Sequence, residues 1–266
     1  MKKLMLFLMA ALMCTFAFAG CAEKDDYEYI KKRGKLIIGI TYFEPMNYKD
    51  DQEKLIGFDT EFAEAVCEAL GVQAEFQVID WSKKEFELNS KAIDCIWNGF
   101  TVTEERRQNV DFTVSYLKNK QCIVIRKSDA ETYTSLQALA AAKFGAENES
   151  AGESAIKGND TLKNVNFTGV ESQKKVLLEL KSLTIDAGVI DYTMAKASIR
   201  EDSDYSGLMI LDLELSEEEE YAIGFRKGSN LDEKVNEIIE QLVANGTIAQ
   251  IAEKYNLTDL LTDALK

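Results

Sequence analysis

Apolar residues recur along this chain in two rhythms. Phe58, Phe62, Val66 and Leu70 fall at helical spacing with Gly71 as the stop, which predicts a helix over residues 58–70. Leu231, Val235, Ile238, Ile239 and Leu242 form a second stripe, closed by Gly246, and Ile248, Ile251, Ala252 and Tyr255 a third. Short apolar runs lie between the helical stretches. They predict strands at 35–40, 74–79, 92–97, 121–126, 143–146, 165–168, 184–190, 208–213 and 221–226. Ser82 and Glu85 have the spacing of a capping box, Ser135 opens a helix, and another begins near Ala151. Ser172 caps a helix carrying Val176, Leu177, Leu180 and Leu183, and one more helix lies near Met194. The acidic run at 217–220 reads as a solvated loop. Strands alternating with helices predict an α/β protein with parallel sheets. Ligands in such folds bind beyond the carboxyl ends of strands. That rule points to 42–47, Asp80-Trp81, 98–103 and Asp191-Tyr192.

The first residues change the picture from fold to location. Lys2 and Lys3 precede an uncharged apolar run over 4–19. A membrane span takes ~20 apolar residues, so this run has the length of a signal-peptide core. It ends in Phe18-Ala19-Gly20-Cys21, which fits lipoprotein processing, with residues 1–20 removed and Cys21 lipidated. Phe18 stands where Leu is usual. Residues 21–32 then read as a tether. The expected location is the outer face of the cytoplasmic membrane, within a periplasm where an outer membrane is present.

The formal net charge of −15 excludes nucleic acid as a natural partner, because phosphates need a basic surface. It speaks to solubility rather than to the charge of a pocket. The length of 266 residues allows one large or two modest domains. Cys67, Cys95 and Cys122 sit in apolar patterns without metal spacing, so no metal or cofactor is expected; whether Cys95 and Cys122 pair is open. The chain has no histidine, which removes Ser-His and Cys-His nucleophile pairs and most zinc sites.

The stretch from Asn98 to Arg107 carries the most chemistry. Gly99 permits close backbone approach to a ligand, and Thr101 supplies a hydroxyl. Thr103 is placed to cap a short helix, and Arg106 offers a planar fork matched to a carboxylate. Together they form a candidate anion seat; a bare helix start with surface charges is the plainer reading.

The order Gly57-Phe58-Asp59, Ile79-Asp80-Trp81, Ala92-Ile93-Asp94, Gly99-Phe100-Thr101-Val102-Thr103-Glu104-Glu105-Arg106 and Asp111-Phe112 resembles the polar amino acid-binding family of ABC importer receptors. The likeness runs on to Tyr221-Ala222-Ile223-Gly224-Phe225-Arg226-Lys227-Gly228 and covers about 33–258. The resemblance implies a two-lobed α/β fold of the type II periplasmic binding protein kind, each lobe a mostly parallel sheet flanked by helices. Lobe 1 would span 33–117 plus 221–266, lobe 2 would span 121–216, and hinges would lie near 117–121 and 216–221. The resemblance implies Arg106, Gly99 and Thr101 for the ligand α-carboxylate, Asp191 for the α-ammonium, and Phe43 and Trp81 as aromatic walls. Asn98 flanks the site, and Ser150 and Ala151 match places that complete the carboxylate seat. A zwitterion taken out of water needs both charges paired.

Two acids depart from the family pattern. Glu44 stands where an apolar residue is common and Glu147 where Gln or Lys is common, which favours a polar or cationic ligand side chain. The expected function is capture of a free L-amino acid by a monomer and its delivery to an ABC permease. The rivals are a ligand-sensing lipoprotein that signals to a membrane partner, and a lyase on the same fold.

Overall fold

The computed structural model describes residues 25–266. The expected leader and the lipidation site Cys21 lie outside the described residues. Helix α1 (Asp26–Arg33) replaces the outer part of the expected tether. It forms because Asp25 accepts a hydrogen bond from the Glu28 N–H, and Gly34 ends it in the left-handed conformation. It is clamped to the body by its own first residue. The buried Asp26 carboxylate accepts from Arg226 Nε at 2.9 Å and from Lys91 Nζ at 3.1 Å.

Two five-stranded sheets share one plan. The first runs β4-β1-β5-β14-β6, with β1 (Lys35–Ile40), β4 (Gln73–Val78), β5 (Cys95–Ile96), β6 (Val110–Phe112) and β14 (Gly224–Arg226). The second runs β10-β9-β11-β8-β12, with β8 (Gln121–Arg126), β9 (Lys143–Glu147), β10 (Asn166–Val170), β11 (Ala187–Asp191) and β12 (Leu208–Ile210). In each, three neighbouring strands are parallel, one strand runs against them, and the fifth, pairing antiparallel with that strand, runs with the trio again. The antiparallel pairs come from the chain's two crossings between lobes. The first strand after each crossing, β8 or β14, runs against the parallel trio. The crossings themselves are β7 (Leu117–Asn119) and β13 (Glu219–Tyr221), an antiparallel pair that faces Asn119 to Glu219, and β2 (Tyr48–Lys49) with β3 (Leu55–Ile56) forms a separate antiparallel pair.

The predicted helix at 58–70 is α2 (Phe58–Leu70), and its buried face is the predicted stripe. Phe62 packs edge-on against Trp97 at 5.1 Å between ring centres. In the second lobe Ile123, Phe144 and Val189 are fully enclosed and cluster with Leu139 of the short α5 (Leu136–Leu139). Cys67, Cys95 and Cys122 are free and buried, with Cys95 and Cys122 in different sheets. Among the described residues no helix is long and apolar enough to cross a membrane.

Several local expectations give way. Ser82 and Glu85 make no capping box. Asp80 accepts from the Ser82 N–H and hydroxyl instead, and a 3₁₀ turn (Trp81–Lys83) leads into α3 (Lys84–Asn89). Leu183 lies past the end of α7 (Gln173–Lys181), at φ 63° and exposed. The predicted strand at 221–226 is two strands, β13 and β14, because Tyr221 belongs to the crossing and Gly224 to the first sheet. The run at 217–220 is not all solvated loop, since Glu219 and Glu220 enter β13.

Candidate ligand site between the lobes

The ends of both sheets meet around one tight cavity of about 10 Å³. From the first lobe come Thr41, Phe43, Trp81, Asn98, Gly99, Thr101 and Arg106; from the second come Glu147, Ser150, Ala151, Gln173 and Asp191. Ten of the eleven residues proposed from sequence therefore line one space. Glu44 is the exception. It points to the outer surface of the cleft, where its carboxylate stands 3.5 Å from Arg200 of the second lobe. It bridges the lobes and does not line the cavity.

Arg106 enters from α4 (Glu104–Asn109), capped by the Thr103 side chain. Its guanidinium lies 4.6 Å above the Phe100 ring. Nη1 donates to the Thr101 carbonyl at 2.7 Å, and Nη2 reaches the Glu149 carbonyl of the second lobe at 3.4 Å. Burial holds Arg106 below its ordinary range, while Glu219 and Asp191 oppose the shift. Facing it is the N-terminus of α6 (Ala151–Gly158), whose first N–H groups have no partner inside the helix. A guanidinium and a helix N-terminus are both groups that suit a carboxylate.

Asp191 is the last residue of β11 and precedes α8 (Tyr192–Ser198), but its side chain does not cap the helix. Its carboxylate accepts instead from Asn119 Nδ2 at 2.5 Å, from Gln121 Nε2 at 2.7 Å and from the Gln173 amide. Burial raises its pKa, and these donors hold it down in part. An ammonium would find a buried anion already oriented.

Glu147 closes β9 and is 3 % exposed. Its Oε1 has no hydrogen-bond partner in the protein. Burial, then the Asp191 charge, pushes the carboxyl up to about 8, against the pull of Lys84 and Arg106. Lys84 is a second buried cation. Its Nζ donates across the cleft to the Glu149 carbonyl at 3.0 Å and lies 5.1 Å from the Trp81 ring centre. Burial, then Arg106, brings Lys84 down to about 8.

Other proposed donors serve different ends. The Gly99 N–H is given to Asp59 at 2.8 Å and is not free for a ligand. The residue stands at φ 56°, and a Cβ there would come within 2.5 Å of the Phe43 ring, so Gly99 makes room for that wall. Asn98 exchanges hydrogen bonds with the Thr41 backbone and so fixes the loop that carries Phe43. The Ser150 hydroxyl caps α6 by accepting from the Glu153 N–H at 3.1 Å. Thr101 Oγ1 donates to Glu219 at 3.1 Å. Thr41 and Gln173 line the cavity without having been singled out from sequence; Thr41 lies one residue before the loop chosen by the strand-end rule, and Gln173 is a polar residue just past a cap.

Two lobes of one plan, joined by a pair of crossing strands and closed on a small cavity with an acid on one side and a cation on the other, define a solute-binding protein. The sequence pattern of the bacterial extracellular solute-binding proteins, family 3, matches residues 36–258, and the chain belongs to that family. It is 31 % identical over 258 residues to the arginine-binding extracellular protein ArtP of Bacillus subtilis, covering 96 % of this chain and 98 % of ArtP. An ABC uptake transporter substrate-binding protein from Streptococcus pneumoniae, solved with histidine bound, superposes with a TM-score of 0.83 at 30 % identity, over 90 % of this chain and 99 % of that one. The ancestral amino acid-binding protein AncCDT-1, described as a precursor of cyclohexadienyl dehydratase, superposes with a TM-score of 0.78 at 27 % identity, over 87 % and 99 %.

Proposed function

We propose that this protein captures a free L-amino acid between its lobes and delivers it to the permease of an ABC importer. The observation that carries the reading is that Arg106 of the first lobe and Asp191 of the second line one cavity. A zwitterion can there exchange water for a partner at each charge, and neither lobe alone offers both. Arg106 and the α6 N-terminus take the α-carboxylate, Asp191 takes the α-ammonium, and Phe43 and Trp81 flank the ligand. Glu147, buried with an unpartnered oxygen, favours a ligand side chain that carries a donor or a positive charge. The lobes comprise 33–117 with 221–266, and 121–216, and they close about β7 and β13. A lipid on Cys21 would hold the monomer at the membrane beside its permease.

The protein is a receptor on this reading and not an enzyme, and turnover of a bound amino acid by the pure protein would refute that part. The receptor reading is tested by calorimetric titration of refolded, ligand-stripped protein with the proteinogenic L-amino acids, ornithine, citrulline and cystine. Tight binding of one or a few supports it. Failure to bind any sinks it.

A further inference from the structure

The acidic run at 217–220 contains one residue that turns inward. Glu219 lies on β13, the second crossing strand, and its Oε1 collects three donors: Asn119 Nδ2 at 2.7 Å, Gln121 Nε2 at 2.7 Å and Thr101 Oγ1 at 3.1 Å. The same two amide nitrogens donate to Asp191 Oδ1, at 2.5 and 2.7 Å. A primary amide has two N–H groups, so each side chain gives one to Glu219 and one to Asp191. The two carboxylates are thus joined by a double amide bridge. One amide comes from the first crossing strand at Asn119 and the other from the start of β8 at Gln121.

We infer that Glu219 is a positioning residue for the ammonium end of the ligand site, acting through Asn119 and Gln121 on Asp191. The inference rests on the amino acid-binding reading above. The geometry gives its cause. The Asn119 amide is pinned at its other end, where its Oδ1 accepts from the Thr193 N–H at 3.2 Å. The Gln121 amide is not pinned, because its buried Oε1 has no partner. Only the two carboxylates fix which face of the Gln121 amide meets Asp191. With Glu219 gone, that amide is held by Asp191 alone, so it loses one of its two anchors and orients the carboxylate less firmly. Glu219 also fixes the Thr101 hydroxyl, whose backbone carbonyl holds Arg106. One side chain on the hinge therefore touches the supports of both ends of the zwitterion site.

The test compares Glu219→Ala, Glu219→Gln, Gln121→Ala and the Glu219→Ala/Gln121→Ala double variant by calorimetry at pH 7. The probe is whichever of L-arginine, L-histidine and L-cystine binds the wild type most tightly. Glu219→Ala and Gln121→Ala should each weaken binding by about tenfold or more, since each removes a charge-assisted hydrogen bond from the bridge. Glu219→Gln keeps an acceptor oxygen and should stay within about threefold of wild type. The double variant should be no more than about threefold weaker than the worse single one, because both changes remove the same bridge. Glu219→Ala binding like wild type, Glu219→Gln as weak as Glu219→Ala, or losses that multiply in the double variant would each overturn the inference. Should Glu219→Ala not fold, Gln121→Ala and Glu219→Gln decide it by the same expectations. A wild type that binds none of the proteinogenic amino acids would instead remove the receptor reading, and this inference with it.

Discussion

The two lobes meet the cavity with opposite character. The first contributes the cation Arg106 with the rings of Phe43 and Trp81, and Lys84 stands beside the cavity on the same Glu149 carbonyl. The second contributes its acids, Asp191 and Glu147, with the N-terminus of a helix. The sheets behind these faces share a strand plan, so the difference lies in the residues at the strand ends. On the proposed reading each lobe presents half of a zwitterion site, and closure would assemble the whole. The charges also attract one another across the cleft, and Lys84 and Arg106 both grip the Glu149 carbonyl. Glu149 offers that carbonyl from a left-handed turn, at φ 57°.

The comparison breaks most readily at the charges that face the ligand. Asp191→Ala or Arg106→Ala should weaken binding by about 100-fold or more, because truncating one partner of a buried charge pair costs several kcal/mol. Calorimetry measures both, and a loss below about tenfold would contradict the assignment of the lobes.

The acid of the second lobe sharpens the comparison through pH. Glu147 faces Asp191 and Asp80, which raise its pKa, and Lys84 and Arg106, which lower it; burial sets the net rise from 4.5 to about 8. The folded protein therefore binds a proton that the unfolded chain has released between those two values. The stabilisation present below the lower value is lost as pH climbs through the upper one. Ligand-free wild type should lose several degrees of Tm relative to Glu147→Gln between pH 5 and pH 8.5, on the order of 3 °C or more. A cationic ligand should displace that proton, so its affinity should rise with pH in the wild type and stay flat in Glu147→Gln. Parallel Tm profiles would show that Glu147 is not held protonated in the cavity.

Smaller effects test the contacts that cross the cleft. Lys84→Met keeps the buried stem and removes the bond to the Glu149 carbonyl, and should weaken binding about tenfold, mostly as faster release. Glu44→Gln removes an ion pair whose partners are 37 % and 51 % exposed, and should change Kd by less than about threefold. A Glu44 effect as large as that of Lys84 would return Glu44 to the ligand side of the cleft.

Much of this arrangement was legible in the sequence, for identifiable reasons. The stripe from Phe58 to Leu70 gives α2 because one helical face meets a sheet, and period decides that alone. Strand-end loops in an α/β chain fall near the ligand, which led to Phe43, Trp81, Asn98 and Asp191. The failures share a cause as well. Glu44 and Glu219 are both acids in polar surroundings, and sequence does not say which one turns inward. β13 pairs with β7 across about 100 residues of chain, and that non-local pairing puts Glu219 inside. Gly99 was chosen as a donor, but the Asp59 that takes its N–H lies 40 positions away. Asn119 and Gln121 read from sequence only as part of a hinge and the start of a strand, with nothing to mark their amides as partners of Asp191.

The central claim is that the two lobes divide a zwitterion between them. Its most direct test is a titration of the ligand-stripped protein with its tightest L-amino acid, with the methyl ester of that amino acid, and with its analogue lacking the α-amino group. The account predicts that each analogue binds weaker by about 100-fold or more, since each leaves one lobe's buried charge unpaired. An analogue that binds as tightly as the parent would show that its end of the ligand is not held by the charge assigned to it, and would contradict the claim.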